Sequence, residues 1–261
     1  MIDASPAKLD SIYRYPVKGL SPERLSRVTL APGHTLPSDR RYAIENGPSG
    51  FDANDPKYLP KSRFLMLMRN ERLAGLQTRY DDETHVLTVH QNGAEKCNGN
   101  LEAADGREKI ENFFAETFAA ELRGPPKLLL APGHSFSDVS AKVVSIINLA
   151  SVADLESVIG RPVDPLRFRG NLHVTGWPAW HELDLVGQTL AIGDVRLKVE
   201  HRIVRCAATN VDPVTAERDM HIPQTLQRVY GHDDCGIYAK VITGGEIRPG
   251  DTIAVTQDRL I

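Results

Sequence analysis

Apolar and polar positions alternate with period two over residues 9–15, the spacing of a strand with one buried face. The run stops at Pro16, which has no N–H to give a ladder. Residues 25–30 alternate again and are closed by Pro32-Gly33, and residues 41–45 and 85–90 complete a strand-rich first half. Asn46-Gly47-Pro48-Ser49-Gly50 reads as a loop from its composition. Short strands at this spacing predict a small barrel or sandwich and argue against a parallel α/β sheet.

The period then lengthens. Over residues 107–122, Ile110, Phe113, Phe114 and Phe118 fall at helical spacing, and Gly124-Pro125-Pro126 ends the run. A boundary near this helix divides the chain into expected modules of residues 1–120 and 121–261. A second helix follows Asn148 as its cap, with Leu149, Val152, Leu155, Val158 and Ile159 as one stripe and Gly160 as its left-handed terminator. A third starts at Pro223, tolerated in a first turn, and reaches Tyr230. Strands at 189–192 and 195–199 flank the hairpin signal Gly193-Asp194, and strands at 236–242 and 252–255 close the chain. The predicted class is α+β dominated by β: an N-terminal β-barrel-like module, then a second β-rich module with a few helices.

Composition narrows the function. A net charge of -3 over 261 residues gives no general attraction to nucleic acid or an anionic membrane, so any anion site must be built from a few placed cations. Met1-Ile2-Asp3-Ala4-Ser5-Pro6 lacks the basic-then-apolar pattern of a leader, and no apolar stretch approaches the roughly 20 residues that cross a bilayer. The 3 cysteines, Cys97, Cys206 and Cys235, include no CxxC pair, which argues against a disulfide framework, structural zinc or an iron–sulfur cluster. A reducing, cytoplasmic setting is expected. Nucleophile elbow, phosphate-binding loop, HExxH helix and dinucleotide fingerprint are all missing from the sequence.

The remaining chemistry gathers around Cys206. Residues 201–205 read as a strand that delivers Cys206 to its end, and Asn210 to Pro213 is turn chemistry. The adjacent Arg205 guanidinium favours the thiolate, the form that ligates metals or attacks electrophiles, although a free cysteine is commonly a small buried hydrophobe. Cys97 and Cys235 both read as loop residues. Lys18 after Tyr15-Pro16-Val17, Arg40 in Asp39-Arg40-Arg41, and Arg169 in Arg167-Phe168-Arg169-Gly170-Asn171 are cations at three strand ends. Together they are compatible with a phosphorylated ligand, for which arginine supplies a fork and lysine a point charge.

The run Trp180-His181-Glu182-Leu183-Asp184-Leu185-Val186-Gly187, then Leu190 to Asp194, then Arg205-Cys206 with Thr209 and Val211-Asp212-Pro213, resembles the MOSC domain. The ending Gly236-Ile237-Tyr238-Ala239-Lys240-Val241 with Gly250-Asp251 does so too. Tyr15-Pro16-Val17-Lys18-Gly19 and Asp39-Arg40-Arg41-Tyr42 resemble the N-terminal β-barrel domain of that family. The resemblance implies two β-rich modules clasping a molybdenum cofactor (Mo-molybdopterin), with Cys206 as the metal ligand. Lys18, Arg40, Arg169, Asn171 and Arg205, with Asn148 and Ser151 at a helix start, would be cofactor contacts. Thr209 and Asp212 would shape the catalytic face beside Cys206. Relatives with both modules reduce N-hydroxylated compounds such as amidoximes and hydroxylamines, taking electrons from a separate protein.

Departures are visible. Gly19 stands where the family often has serine, Ala216 where it usually has glycine, and residues 58–65 match its arginine-containing segment poorly, so no ligand is assigned there. Two further readings stay open. One is a sulfur carrier holding a persulfide on Cys206; the other is a molybdenum-cofactor carrier without turnover.

Overall fold

The computed structural model describes residues 6–256, and Met1-Ile2-Asp3-Ala4-Ser5, read above for a leader pattern, lies outside the described residues. In chain order the first half holds β1 (Ala7–Arg14), β2 (Glu23–Leu25), β3 (Val28–Leu30), β4 (Ala43–Ile44), β5 (Leu76–Tyr80), β6 (Val86–Gln91), β7 (Ala94–Asn100) and α1 (Ala104–Thr117). The second half holds β8 (Leu128–Leu129), β9 (Val144–Asn148), α2 (Leu149–Ile159), β10 (Leu172–Thr175), β11 (Thr189–Ile192) and β12 (Val195–Val204). It ends with α3 (Ile222–Tyr230), β13 (Asp234–Thr243), β14 (Gly245–Ile247) and β15 (Thr252–Thr256).

Seven strands close a barrel in the order β10-β9-β13-β12-β11-β15-β1, with β1 pairing back onto β10. Closure removes the exposed edges that an open sheet would present. The first strand of the chain is therefore the seam of a barrel otherwise made from the second half, and β2 extends it. A bulge between Leu9 and Ser11 shifts the phase of β1 by one residue, so Leu9 and Ile12 both point into the core. They pack there with Leu172, Val174, Leu190, Leu197 and Ile237. The rest of the first half forms a meander β5-β6-β7, while β4 pairs with β8 and β3 with β14, both strands of the second half. Its own core sets Leu87 and Val89 against Ile110 and Phe114 of α1 and Phe118 just after it. The fold is mixed α+β and β-dominated, as expected.

α2 and α3 match their sequence signals. Asn148 accepts the Ala150 N–H at 3.1 Å, and Gly160 adopts φ +79°. Pro223 sits in the first turn of α3, and Gly231 terminates it at φ +76°. Other expectations shift. α1 begins at Ala104 and stops at Thr117, well before Gly124. The strand expected over 25–30 breaks at Ser26-Arg27, and that over 41–45 shrinks to Ala43–Ile44. β7 carries no apolar alternation because most of its residues are exposed, and β5 buries only its two end residues, Leu76 and Tyr80. Cys97 and Cys235 are strand residues of β7 and β13, not loop residues, and burial raises both thiols, to about 11 and about 12.

Candidate active site

A cavity of about 420 Å³ opens where the end of β12 meets the loops of the first half. That volume is in the range of a small-molecule site. Cys206 lines it together with Lys18, Arg40, Arg169, Asn171, Arg205 and Thr209. The structure thus brings seven of the ten sequence-predicted site residues to one wall system. Asn148, Ser151 and Asp212 are not among its lining residues.

Cys206 is half-buried and stands between β12 and a 3₁₀ turn, Ala207–Asn210. Thr209 closes that turn by donating its N–H and its hydroxyl to the Cys206 carbonyl, at 3.1 and 2.9 Å. Arg205 does not offer its guanidinium to the cavity. Nε donates to the Cys235 carbonyl at 2.7 Å and Nη1 to the Phe168 carbonyl at 2.8 Å, which ties β12 to β13 and to the turn bearing Arg169. Asn171 is also spent internally: Oδ1 accepts from Ser145 N and Oγ, and Nδ2 donates to the Tyr13 carbonyl across the barrel seam. Asn148 and Ser151 both donate to the Glu182 carboxylate at the start of α2, a buried network, and burial raises the Glu182 carboxyl above its ordinary range.

The cations differ in what they have left to give. Lys18 is buried; Nζ donates to the Phe136 carbonyl at 2.8 Å and ion-pairs with Asp138, and burial depresses the ammonium despite that partner. Arg40 donates to Asp39 at 2.5 Å and to the Arg169 carbonyl at 3.1 Å. Arg169 donates Nη1 to the Leu20 carbonyl at 2.8 Å, but Nη2 is buried with no protein acceptor. Burial, only partly offset by neighbours, lowers Arg169 to about 10. A buried guanidinium N–H without an acceptor costs free energy that an anion from outside would recover. This orphaned donor is the structural feature that fits a phosphate-ended ligand in the cavity.

Sequence reasoning missed two charged groups here. Lys61 lies in the short 3₁₀ turn Lys61–Arg63, within the segment left unassigned, and lines the cavity. Burial alone would lower its ammonium, but Asp138 and Cys206 outweigh burial and raise it. Asp138, 48% exposed at the rim, sits 3.9 Å from Lys61 and receives Lys18. Burial would raise the carboxyl, but Lys18, Lys61 and Arg40 hold it below the usual carboxylate range. Neither residue carried a periodic or motif signal; their role follows only from folding.

Among solved structures the chain resembles the YUAD protein from Bacillus subtilis, with TM-score 0.42, 13% identity and 95% and 94% of the two chains covered. A mouse (Mus musculus) protein named mitochondrial amidoxime-reducing component 1 is 34% identical over 131 residues, covering 46% of this chain and 37% of that protein. A molybdenum cofactor sulfurase of Caenorhabditis briggsae is 22% identical over 259 residues, covering 97% of this chain and 36% of that protein. The chain spans little more than a third of the length of either relative.

The chain is strand-rich, with a closed seven-stranded barrel and a cysteine lining a cavity that also holds several cations. Residues 6–124 match the MOSC N-terminal beta barrel domain and residues 131–254 the MOSC domain, and the chain belongs to the MOSC family.

Proposed function

We propose that this protein is a molybdenum-cofactor oxidoreductase that reduces N-hydroxylated compounds such as amidoximes and hydroxylamines. The observation that carries the reading is that Cys206 lines the same cavity as Arg169, whose Nη2 is buried without an acceptor. Cys206 would be the soft protein donor to the metal. Lys18, Arg40 and Arg169 would hold the pterin's phosphate, and Arg205, Asn171 and Thr209 would fix the walls around it. The chemistry such a group supplies is two-electron exchange at a metal with an open position. Cleavage of the N–O bond takes up two electrons and two protons and releases water. The electrons would come from an external electron-transfer protein or reductase. No helix among the described residues is long and apolar enough to cross a membrane. The reading includes a cytoplasmic location, with neither nucleic acid nor membrane as a partner.

Metal analysis with pterin fluorescence tests it, on protein made in a host that synthesises the cofactor. Expected are stoichiometric molybdenum and pterin, both lost in Cys206→Ser while the fold is kept. Parent protein free of both, from a host whose other molybdoenzymes are loaded, would refute the reading. The alignment of nearly the whole chain with a cofactor sulfurase favours a second reading, a sulfur carrier. It predicts a reducible extra sulfur on Cys206 by mass spectrometry, with no molybdenum.

A further inference from the structure

We propose that Tyr15 is a positioning residue whose ring sets the Arg40 and Arg169 guanidiniums as one fork for a phosphate-bearing ligand. The inference rests on the reading of the cavity given above. Tyr15 is fully buried. Its ring centroid lies 4.2 Å from Arg169 Cζ and 4.9 Å from Arg40 Cζ, both well within cation–π range. Among the described residues Tyr15 is a fully buried ring outside the four apolar clusters, and its charged neighbours are these two guanidiniums and Asp39.

The backbone ties Tyr15 to Asp39 and Arg40, and the Arg40 side chain reaches the Arg169 carbonyl. Tyr15 donates its N–H to Asp39 Oδ1 at 2.8 Å and accepts the Arg40 N–H on its carbonyl at 2.7 Å. Arg40 and Arg169 both adopt left-handed backbone, at φ +51° and +52°. Non-glycine residues keep that conformation only where their surroundings impose it, and such positions concentrate at functional sites. Two buried cations this close repel each other. The negative π-system of one ring, with the Asp39 carboxylate against Arg40, offsets that repulsion. The Tyr15 hydroxyl is 3.5 Å from the Gly170 carbonyl, the far limit of a hydrogen bond, so the ring and not the hydroxyl is the working part. Burial pushes that hydroxyl up to about 12, so the ring stays neutral. Arg40 and Arg169 Nη1 donate to protein acceptors, and of the two guanidiniums the nitrogen left buried without an acceptor is Arg169 Nη2, which the ring holds in place.

The test uses inorganic phosphate as probe, titrated into the purified chain and followed by calorimetry and by the arginine Nε–H resonances. Tyr15→Phe should bind phosphate within about twofold of the parent, and Tyr15→Leu about tenfold or more weakly, the loss of one desolvated cation–π contact. A folded Tyr15→Leu that binds as the parent does overturns the proposal, as does an equal loss in Tyr15→Phe. Should Tyr15→Leu not fold, the parent decides: two ring-shifted arginine resonances that move together on titration support the fork, and unshifted or independent ones overturn it. A parent that ignores phosphate sinks the fork and the phosphate reading of the cavity together. A parent that binds while Tyr15→Leu is unaffected removes only the role of Tyr15.

Discussion

Arg167 Nη2 lies 2.6 Å from Asp212 Oδ2, with the guanidinium only 1% exposed. The same guanidinium reaches Asp219 at 2.8 Å and the Asn210 carbonyl at 3.3 Å, while Asp212 Oδ1 accepts the Val214 and Thr215 N–H groups. Asp212, expected at the catalytic face, therefore folds the loop that follows Cys206. Removing one partner of a buried pair costs about 3–5 kcal/mol, and the carboxylates here are partly exposed, so Arg167→Met should lose about 3 kcal/mol. Asp212→Asn, which leaves Asp219 in place, should lose clearly less. Chemical denaturation reads both, and equal stabilities would remove the anchor role.

Ala216 adopts φ +61° where the family usually has glycine. An L-residue pays about 1–2 kcal/mol in that region, and glycine adds about 0.4–1 kcal/mol of freedom to the unfolded chain. Ala216→Gly should therefore stabilise by about 1 kcal/mol and raise Tm by about 2–4 °C. A scanning calorimetry trace showing no gain refutes the strain.

His173 is buried beside Tyr13, its Nε2 has no partner, and burial lowers it to about 4. The folded protein keeps the ring neutral while the unfolded chain takes up a proton near 6.5, so between these values the unfolded state binds more protons. Stability from this group is full above about 6.5 and falls as pH drops toward 4, by about 3 kcal/mol in all. Urea midpoints measured against pH should show that slope in the parent and lose it in His173→Phe.

Asp138 occupies the cations that an incoming phosphate would use. Its pair with Lys18 is open to solvent on one side, and exposed pairs are worth up to about 1 kcal/mol. Asp138→Asn should tighten inorganic phosphate binding by about fivefold. Unchanged or weaker binding by calorimetry would mean that the carboxylate does not compete.

Two helices were legible because their signals are local: Asn148 and Gly160 bracket α2, and Pro223 sits in the first turn of α3. The cysteine and the three cations at strand ends were legible as residue types in motifs, and the cavity gathers them. Lys61, Asp138 and Tyr15 were not. Nothing local distinguishes a lysine in a 3₁₀ turn, an aspartate in an irregular loop, or a tyrosine before a proline from their many solvated or packed counterparts. Their meaning comes from partners far along the chain. Arg205 and Asn171 show the reverse case: motif positions whose polar atoms are consumed by backbone carbonyls and Ser145.

By itself the amino-acid order determined the β-dominated class, the caps of α2, the place of α3, and which side chains could carry metal or phosphate chemistry, because periodicity, capping and functional groups are properties of short segments. Only the tertiary structure decided that β1 closes a barrel built from the other half. It also decided that the Tyr15 ring lies within cation–π range of two arginines, and that Arg169 Nη2 is left without an acceptor. Those are relations between surfaces brought together from distant segments. Burial then fixes what each charge can still do.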